Sequence, residues 1–393
     1  MAERSDFVTA HEYRGVREGK SMTAIGRHRT SAVVLATLLL SVGSEVPAAT
    51  AAPAMVPQFL LVGGTASGNV AVMSMEPDGG LRQVDGSPFP VGAGVLSLAV
   101  APRGRIVYVT QAGARKVTGY RIDDRGALHP IPGADVVTDG VPVTSVLSPD
   151  GSLLFVAVGG LPGHISSYSV AASGALTPIA STIVAGTSAI PMVTVDPNGR
   201  YLRFVSAVDG SISSFAIGPG GALTALGSPV PGGVLPVNPG TTPDGRFIYV
   251  SNEQGSNVSG YSIGSDGRMT STPGSPYSTG GMPHGAEITG DGRRLYIPEV
   301  SGGRVSGFSI GADGALTPLA GSPYPAPPGT GPGRVLLSDD ERHLYAADVL
   351  TTTVTSKVHT FDVRPDGSLT PSVLPSVDTG TVVADGPVLV KTP

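Results

Sequence analysis

The sequence contains no cysteine and no tryptophan among its 393 residues, and only 14% of its residues are charged. The lack of cysteine excludes disulfides, thiolate nucleophiles, zinc sites with cysteine ligands and lipid attachment through an N-terminal cysteine. The fold must therefore be stabilised by core packing, which a chain of this length can provide. The formal charge of −5 comes without a basic stripe, so we predict no nucleic-acid partner.

Glycine and proline are abundant, with 56 and 36 residues respectively. They lie at regular intervals between short runs of Val, Ile, Leu and Tyr, a distribution typical of turns in an all-β protein. A disordered low-complexity chain would lack such regular apolar runs. We therefore predict a folded all-β region over residues 57–393.

The N-terminal region has the three parts of a secretory signal peptide. Basic residues at 27–29 precede an apolar stretch at 31–43, and Ala49-Thr50-Ala51 offers a small-residue cleavage site. A permanent anchor is the alternative, but a membrane-spanning helix needs about 20 apolar residues. We predict that 1–21 is an extension or a mis-assigned start preceding Met22, and that 22–52 is a signal peptide. The mature chain would then be secreted or extracytoplasmic, with no stable membrane span.

A repeat of nearly constant length runs through the rest of the chain. An aromatic or apolar anchor is followed, after a short gap, by Gly-x-Leu or Gly-x-Met in seven places. Several of the gaps contain Asp-Gly, the preferred tight hairpin, because glycine adopts positive φ without steric cost. The anchors are Met73, Tyr120, Tyr168, Phe215, Tyr261, Phe308 and Phe361, at spacings of 47, 48, 47, 46, 47 and 53 residues.

Each repeat divides into four short strands. A second turn of the Pro-Asp-Gly type precedes each later anchor by 18 to 22 residues, as at Pro243-Asp244-Gly245. The fifth repeat then contains strands near 234–241, 247–251, 258–263 and 269–272. Four antiparallel strands in about 47 residues form one propeller blade, and a ring of blades protects the sheet edges. We therefore predict an all-β, seven-bladed β-propeller with four antiparallel strands per blade, in preference to a solenoid.

The two ends of the chain predict how the ring closes. The first repeat begins directly at Phe59-Leu60-Leu61-Val62, which is a second-strand pattern. The chain ends with a surplus apolar segment, Pro387-Val388-Leu389-Val390, which matches the inner-strand pattern at Ser97-Leu98-Ala99-Val100. The C-terminal strand is therefore expected to be the inner strand of the N-terminal blade.

These repeats resemble a known family. Phe247-Ile248-Tyr249-Val250-Ser251-Asn252 follows Pro243-Asp244-Gly245-Arg246, and three Gly-Ser-Pro segments begin at Gly227, Gly274 and Gly321. Together they are similar to the YVTN-repeat propellers and to the lactonase family typified by 6-phosphogluconolactonase. The resemblance covers residues 57–393. It implies a seven-bladed propeller and, as an expectation, hydrolysis of a lactone.

The resemblance also implies positions for a lactonase site. In the family these are a His, an Arg-His pair and an Asn-Glu pair, and the last corresponds to Asn252-Glu253 here. The first His position is held by Pro191, and the Arg-His pair falls on Val237-Asn238. One repeat later, Pro283-His284 places an imidazole near the same rim.

Loops on one rim of the propeller bring together the polar residues of successive blades, and loops on a rigid scaffold commonly carry function. The candidate catalytic residues are Glu253 and His284, and each has a side chain that can act as a general base or as a metal ligand. No metal site and no cofactor are predicted, because histidines and carboxylates are too scattered in sequence. The predicted binding residues are Asn252, Glu253, His284, Glu299, Arg334 and Asp209, and the same rim is expected to include Gln111, His164, Arg304 and Asp348.

Two functions are compatible with this sequence. The first is an exported propeller that binds an unknown small molecule, glycan or protein at its charged rim, without the family's lactonase chemistry. The second is a lactone hydrolase resembling 6-phosphogluconolactonase. The departures at Pro191 and Val237 favour the first, because neither side chain can donate to a lactone carbonyl.

Overall fold

Thirty-three short strands and one 3₁₀ turn, Pro219–Gly221, make up the regular structure in the described part of the chain. The computed structural model describes residues 58–102, 105–184 and 189–390, and only the backbone of 350, 351 and 385–390. The predicted extension and signal peptide lie outside these residues.

The first four repeats contain β1 (Phe59–Gly64), β2 (Asn69–Met75), β3 (Leu81–Gln83), β4 (Phe89–Pro90), β5 (Val95–Val100), β6 (Ile106–Gln111), β7 (Lys116–Ile122), β8 (Leu128–Val137), β9 (Val141–Leu147), β10 (Leu153–Gly159), β11 (Gly163–Val170), β12 (Leu176–Val184), β13 (Pro191–Val195), β14 (Tyr201–Ser206), β15 (Ser211–Ile217), β16 (Leu223–Ala225) and β17 (Val230–Pro231). The remaining repeats contain β18 (Pro236–Thr241), β19 (Phe247–Asn252), β20 (Asn257–Ile263), β21 (Met269–Ser271), β22 (Tyr277–Ser278), β23 (Glu287–Ile288), β24 (Arg294–Glu299), β25 (Arg304–Ile310), β26 (Leu316–Pro318), β27 (Tyr324–Pro325), β28 (Thr330–Leu337), β29 (His343–Thr351), β30 (Lys357–Val363), β31 (Leu369–Pro371), β32 (Val377–Asp378) and β33 (Ala384–Val390).

These strands form seven antiparallel sheets, which we number as blades I to VII in chain order. Blade I consists of β33 and β1–β4, blade II of β5–β8, blade III of β9–β12, blade IV of β13–β17, blade V of β18–β22, blade VI of β23–β27 and blade VII of β28–β32. The inner strands β33, β5, β9, β13, β18, β23 and β28 each contact the next, and β28 contacts β33 again. The predicted seven-bladed propeller with four antiparallel strands per blade is confirmed, and five blades add a short fifth strand.

The C-terminal strand pairs with the N-terminal blade in the predicted way. β33 runs antiparallel to β1, with Phe59 opposite Val390 and Gly64 opposite Ala384. Every residue of β1 is buried. Its backbone groups on that side therefore depend on β33 for their hydrogen bonds.

The second strands are mostly apolar runs because both of their faces are covered, although β14 carries Arg203 in its middle. In β1, Leu60 packs in a core cluster that contains Tyr345 of blade VII. The next residue, Leu61, points to the opposite face and packs with Val107 of blade II. Alternate side chains of one strand thus bury against two different neighbours, which a strictly alternating apolar and polar pattern would not permit.

A hydrogen bond between adjacent blades explains why tyrosine and Asp-Gly recur together. The buried Tyr249 hydroxyl donates to the carbonyl of Gly314, in the Asp-Gly turn of the next blade, at 2.8 Å. At the same position in blade IV, Arg203 Nη2 donates to Gly267 O at 2.8 Å. The equivalent pairs are Tyr108 with Gly174, Tyr296 with Gly367, and Tyr345 with Gly79, the last joining blade VII to blade I.

Tyr249→Phe should lower the free energy of unfolding by about 0.5–1.5 kcal/mol, because the buried Gly314 carbonyl loses its 2.8 Å donor and keeps only the longer 3.5 Å contact from the Tyr277 hydroxyl. Urea denaturation followed by circular dichroism measures the change. Tyr201→Phe is the matched control, since the Tyr201 hydroxyl donates to Ser265 O at an exposed site and its loss should cost less than about 0.5 kcal/mol. Equal losses in the two variants would contradict an interblade role for Tyr249.

The Gly-Ser-Pro segments complete the outer edge of their blades. Ser275 Oγ accepts the N–H of Gly260, and Ser322 Oγ accepts the N–H of Gly307, both at 2.9 Å. The serine thus satisfies a third-strand donor where the outer strand is interrupted. The following proline immediately precedes the two-residue fifth strand and offers no N–H to a passing strand.

Candidate functional site

The inner strands bulge near the rim that carries the loops between second and third strands. In six of the seven blades the inner strand gains one residue relative to its partner at this level, as between Val237 and Gly240 of β18. In blade VI the interruption lies between the bridge at Pro283 and the start of β23 at Glu287. Bulges re-aim side chains and recur beside active sites.

The bulges of blades V and VI bring Asn238 and His284 together. Asn238 adopts a φ of 42°, a conformation that asparagine tolerates better than most residues. Its Nδ2 donates to the backbone carbonyl of His284 at 2.7 Å. This bond holds the main chain of His284 against the bulge of the neighbouring inner strand.

Glu253 and His284 form a close pair across these two blades. Glu253 lies in the turn after β19, where its N–H donates to Leu235 O at 3.1 Å. Its Oε1 contacts His284 Nδ1, and the two side chains are 11% and 16% exposed, respectively. A carboxylate at Nδ1 favours the tautomer with the proton on that nitrogen, so Nε2 is the unprotonated nitrogen of the neutral ring. The structure thus joins both predicted catalytic candidates.

Arg334 brings a positive charge next to Gly285, the residue that follows His284. Its half-buried side chain lies against Gly285, where a Cβ would approach Arg334 Cδ to 3.5 Å. Arg334 and Asn238 both line a cavity of about 130 Å³ on the propeller axis. The other lining residues are Leu96, Ser97, Leu98, Thr144, Ser145, Met192, Val193, Thr194 and Pro239.

Glu287, in the inner strand β23, is a carboxyl with a shifted pKa that the sequence did not single out. Its Oε1 accepts the N–H of Leu337 in the next inner strand at 3.0 Å. Burial raises the pKa of Glu287 to about 7; the Leu337 hydrogen bond and the charge of Arg334 oppose the rise, and Glu341 adds to it. Strongly shifted carboxyl groups in clefts are associated with functional sites. No sequence motif marks the residue.

The raised pKa of Glu287 predicts a pH-dependent stability. The folded chain binds a proton at this carboxyl more tightly than the unfolded chain, whose value is the ordinary 4.5. The contribution of protonated Glu287 to the free energy of unfolding is therefore fully present below about pH 4.5 and is lost as the pH rises towards 7. Urea unfolding between pH 4.5 and 8 should show a smaller decline for Glu287→Gln than for the native chain. Parallel curves would contradict the assignment.

Asn252 and Glu299 lie inside their blades rather than on the rim surface. Both side chains are fully buried. Asn252 Nδ2 donates to Ser259 Oγ at 2.9 Å, while Glu299 Oε1 accepts from Ser306 Oγ at 2.5 Å. Each residue ends a second strand, and its side chain turns towards the third strand of the same blade. The role of both residues in binding stays a prediction.

The remaining rim residues do not converge on one site. Asp209 is exposed in the turn after β14. His164 Nε2 lies 2.6 Å from Asp139 Oδ1, and Gln111 is fully buried in blade II. Arg304 pairs with Glu299, and Asp348 with His359. Glu253 and His284 meet across two blades, and Arg334 lies beside the adjacent Gly285.

No group of three or more His, Asp or Glu side chains within 58–102, 105–184 and 189–390 is placed to hold a metal ion.

Comparison with solved structures places the fold beside known propellers. The periplasmic gluconolactonase of Pseudomonas aeruginosa superposes with a TM-score of 0.71 at 21% identity, over 86% of this chain and 100% of that chain. A protein from Lactobacillus plantarum superposes with a TM-score of 0.71 at 17% identity, over 85% and 100%. No curated protein matches by sequence. At these identities the structures share the fold alone.

The family comparison extends further than the fold. Residues 157–380, more than half of the chain, match the family described as lactonase, seven-bladed β-propeller. The matched region spans the residues from β10 in blade III to the last turn of blade VII, so it includes Glu253, His284 and Arg334. This chain therefore belongs to the seven-bladed β-propeller lactonase family.

Proposed function

We propose that this chain hydrolyses a lactone at the mouth of its central channel. The main support is the Glu253–His284 pair. The carboxylate of Glu253 contacts Nδ1 of His284, and Nε2 has no protein partner among the described residues. This is the arrangement of a general base with an orienting carboxylate. Membership of the lactonase family supports the same reaction class.

In the proposed reaction, His284 Nε2 takes a proton from a water molecule as the water oxygen attacks the lactone carbonyl. The carbonyl oxygen becomes an oxyanion, and the guanidinium of Arg334, beside Gly285, is the charge available to stabilise it. The ring C–O bond then breaks, and the departing alkoxide takes the proton from His284. The product is an open-chain hydroxy acid.

The family's His and Arg-His positions remain occupied by Pro191, Val237 and Asn238, so the proposed base comes from a different blade. Asn238 positions this base by holding the His284 carbonyl. A site displaced by one repeat is chemically feasible in a propeller, because adjacent inner strands present equivalent positions to the same channel.

Ligand binding without catalysis is the second candidate. Six of the eleven residues that line the axial cavity of about 130 Å³ are polar or charged, which favours a small polar ligand. We propose a small molecule rather than a nucleic acid as the partner in either case.

We further propose that the mature chain acts outside the cytoplasm. The signal-peptide pattern before residue 53 supports this location. Within the described part of the chain, nothing helical has the length and apolarity of a membrane span. N-terminal sequencing of the exported protein should find a start near Ala52; an intact Met1 or Met22 would contradict cleavage.

The deciding experiment measures lactone hydrolysis by the purified mature protein. A panel of plain and phosphorylated sugar lactones is followed by proton release in weakly buffered solution, with the spontaneous rate subtracted. Hydrolysis that saturates with substrate supports the lactonase proposal. Saturable binding by calorimetry without any rate above background would support the second candidate instead.

A further inference from the structure

Blade VII departs from the other blades at three positions that meet in space. In blades V and VI, the last residue of the second strand bonds to a serine of the third strand, as in Asn252–Ser259 and Glu299–Ser306. The corresponding residues in blade VII are Asp348 and His359, by the strand registers. The third position is the residue before the fifth strand, which is proline in blades I, IV, V and VI and Ser376 in blade VII.

Ser376, His359 and Asp348 form a hydrogen-bonded chain from the surface to the blade interior. Ser376 Oγ lies 2.6 Å from His359 Nδ1, and His359 Nε2 lies 2.8 Å from Asp348 Oδ2. Ser376 is exposed, whereas His359 is 2% and Asp348 0% exposed. The order is therefore an accessible hydroxyl, a buried imidazole and a buried carboxylate.

This order determines the proton positions. The Asp348 carboxylate can only accept, so His359 Nε2 carries a proton and Nδ1 is free to accept from the Ser376 hydroxyl. A serine–imidazole–carboxylate chain with these roles is the arrangement that activates a serine nucleophile, whichever ring nitrogen faces the hydroxyl.

The repeat provides an internal comparison for a merely structural role. Blade V satisfies the same two interior positions with a neutral pair, Asn252 and Ser259. Burying an aspartate carries a large desolvation cost that a neutral pair avoids, so a carboxylate is not required to complete a blade. The proline that blades I, IV, V and VI have at the position of Ser376 has no hydroxyl, so it could not donate a hydrogen bond to a histidine there.

We propose that Ser376 is a nucleophilic serine, activated by His359 and oriented through Asp348, that accepts acyl groups from activated esters at the outer edge of blade VII. Ser376 Oγ bonds to the ester carbonyl carbon while its proton passes to His359 Nδ1. The ester C–O bond then breaks, the alcohol leaves with that proton, and water releases the acid by the reverse path. The residues of this proposed site are separate from Glu253, His284 and Arg334 of the proposed lactonase site.

The test uses a fluorophosphonate probe on the full mature protein. Ser376 Oγ displaces fluoride from phosphorus, and the proton of the hydroxyl leaves through His359. Intact mass spectrometry should show one adduct per chain, and peptide mapping should place it on Ser376. Ser376→Ala should remove the adduct, and His359→Gln should slow its formation by about 10²-fold or more.

Two further variants make the result specific. Ser372→Ala is the matched control, because it removes a nearby hydroxyl that accepts the N–H of Leu374. This variant should still form the full amount of adduct on Ser376. His284→Asn should also label fully, because His284 lies in another blade. The proposal is overturned by no adduct, by an adduct on another serine, or by folded His359→Gln labelling at the native rate. If His359→Gln does not fold, the proposal is judged by peptide mapping of the adduct and by the loss of the adduct in Ser376→Ala.

Discussion

His284→Asn should lower kcat/KM for lactone hydrolysis by about 10²- to 10⁴-fold, the range that general base catalysis contributes. Asparagine is smaller and cannot accept the proton of the attacking water at the position of Nε2. The change should fall mainly on kcat, because proton transfer occurs in the transition state. The melting temperature should change little, since the main-chain bond from Asn238 to the His284 carbonyl is retained.

Glu253→Gln should have a smaller effect in the same direction. Glutamine can still contact His284 Nδ1, but it lacks the charge that stabilises the imidazolium formed during the reaction. Glu76→Gln is the matched control, because Glu76 follows β2 at the opposite rim, where it bonds to Arg82. A His284→Asn protein that retained native kcat/KM, or an equal loss in Glu76→Gln, would contradict the proposed site.

Removing residues 385–393 should destabilise the whole propeller rather than fray one end. The deletion takes most of β33 away from β1, whose residues are all buried. Each buried backbone group left without a partner costs about 1–3 kcal/mol, and several such losses rival the 5–15 kcal/mol that stabilise a typical domain. β33 also contacts the inner strands β5 and β28, so the ring opens between blades I and VII.

Differential scanning calorimetry measures this prediction. The truncated chain should lose its cooperative transition or melt far below the full-length protein. A chain ending at Val390 is the control, since it keeps all of β33 while removing the last three residues. A truncated protein that melted cooperatively at the native temperature would show that the ring does not depend on its last strand.

The blade architecture was predictable because its signals are local. An Asp-Gly turn and a run such as Phe247-Ile248-Tyr249-Val250 specify a hairpin and a two-sided buried strand within about ten residues. Repetition then predicts the number of blades, and the surplus segment at 387–390 predicts its pairing with β1. The hydrogen bond from Tyr249 to Gly314 repeats the same local motif between neighbours.

The site was only partly predictable. Glu253 and His284 were recognised as separate rim candidates, but not as a pair. They are 31 residues apart in sequence, and their contact depends on where a bulge and a turn of neighbouring blades meet. Asn252 and Glu299 were placed on the rim, because sequence position gives the end of a strand but not the direction of its last side chain.

The amino-acid sequence alone determined the fold of this protein, because turns, strand periodicity and repeat length are properties of short segments. Only the tertiary structure decided which side chains meet: His284 with Glu253, Glu287 with Leu337, and Ser376 with His359. Each of these contacts joins residues from different strands or blades. Their distances follow from bulges and from packing between sheets, which no short segment specifies.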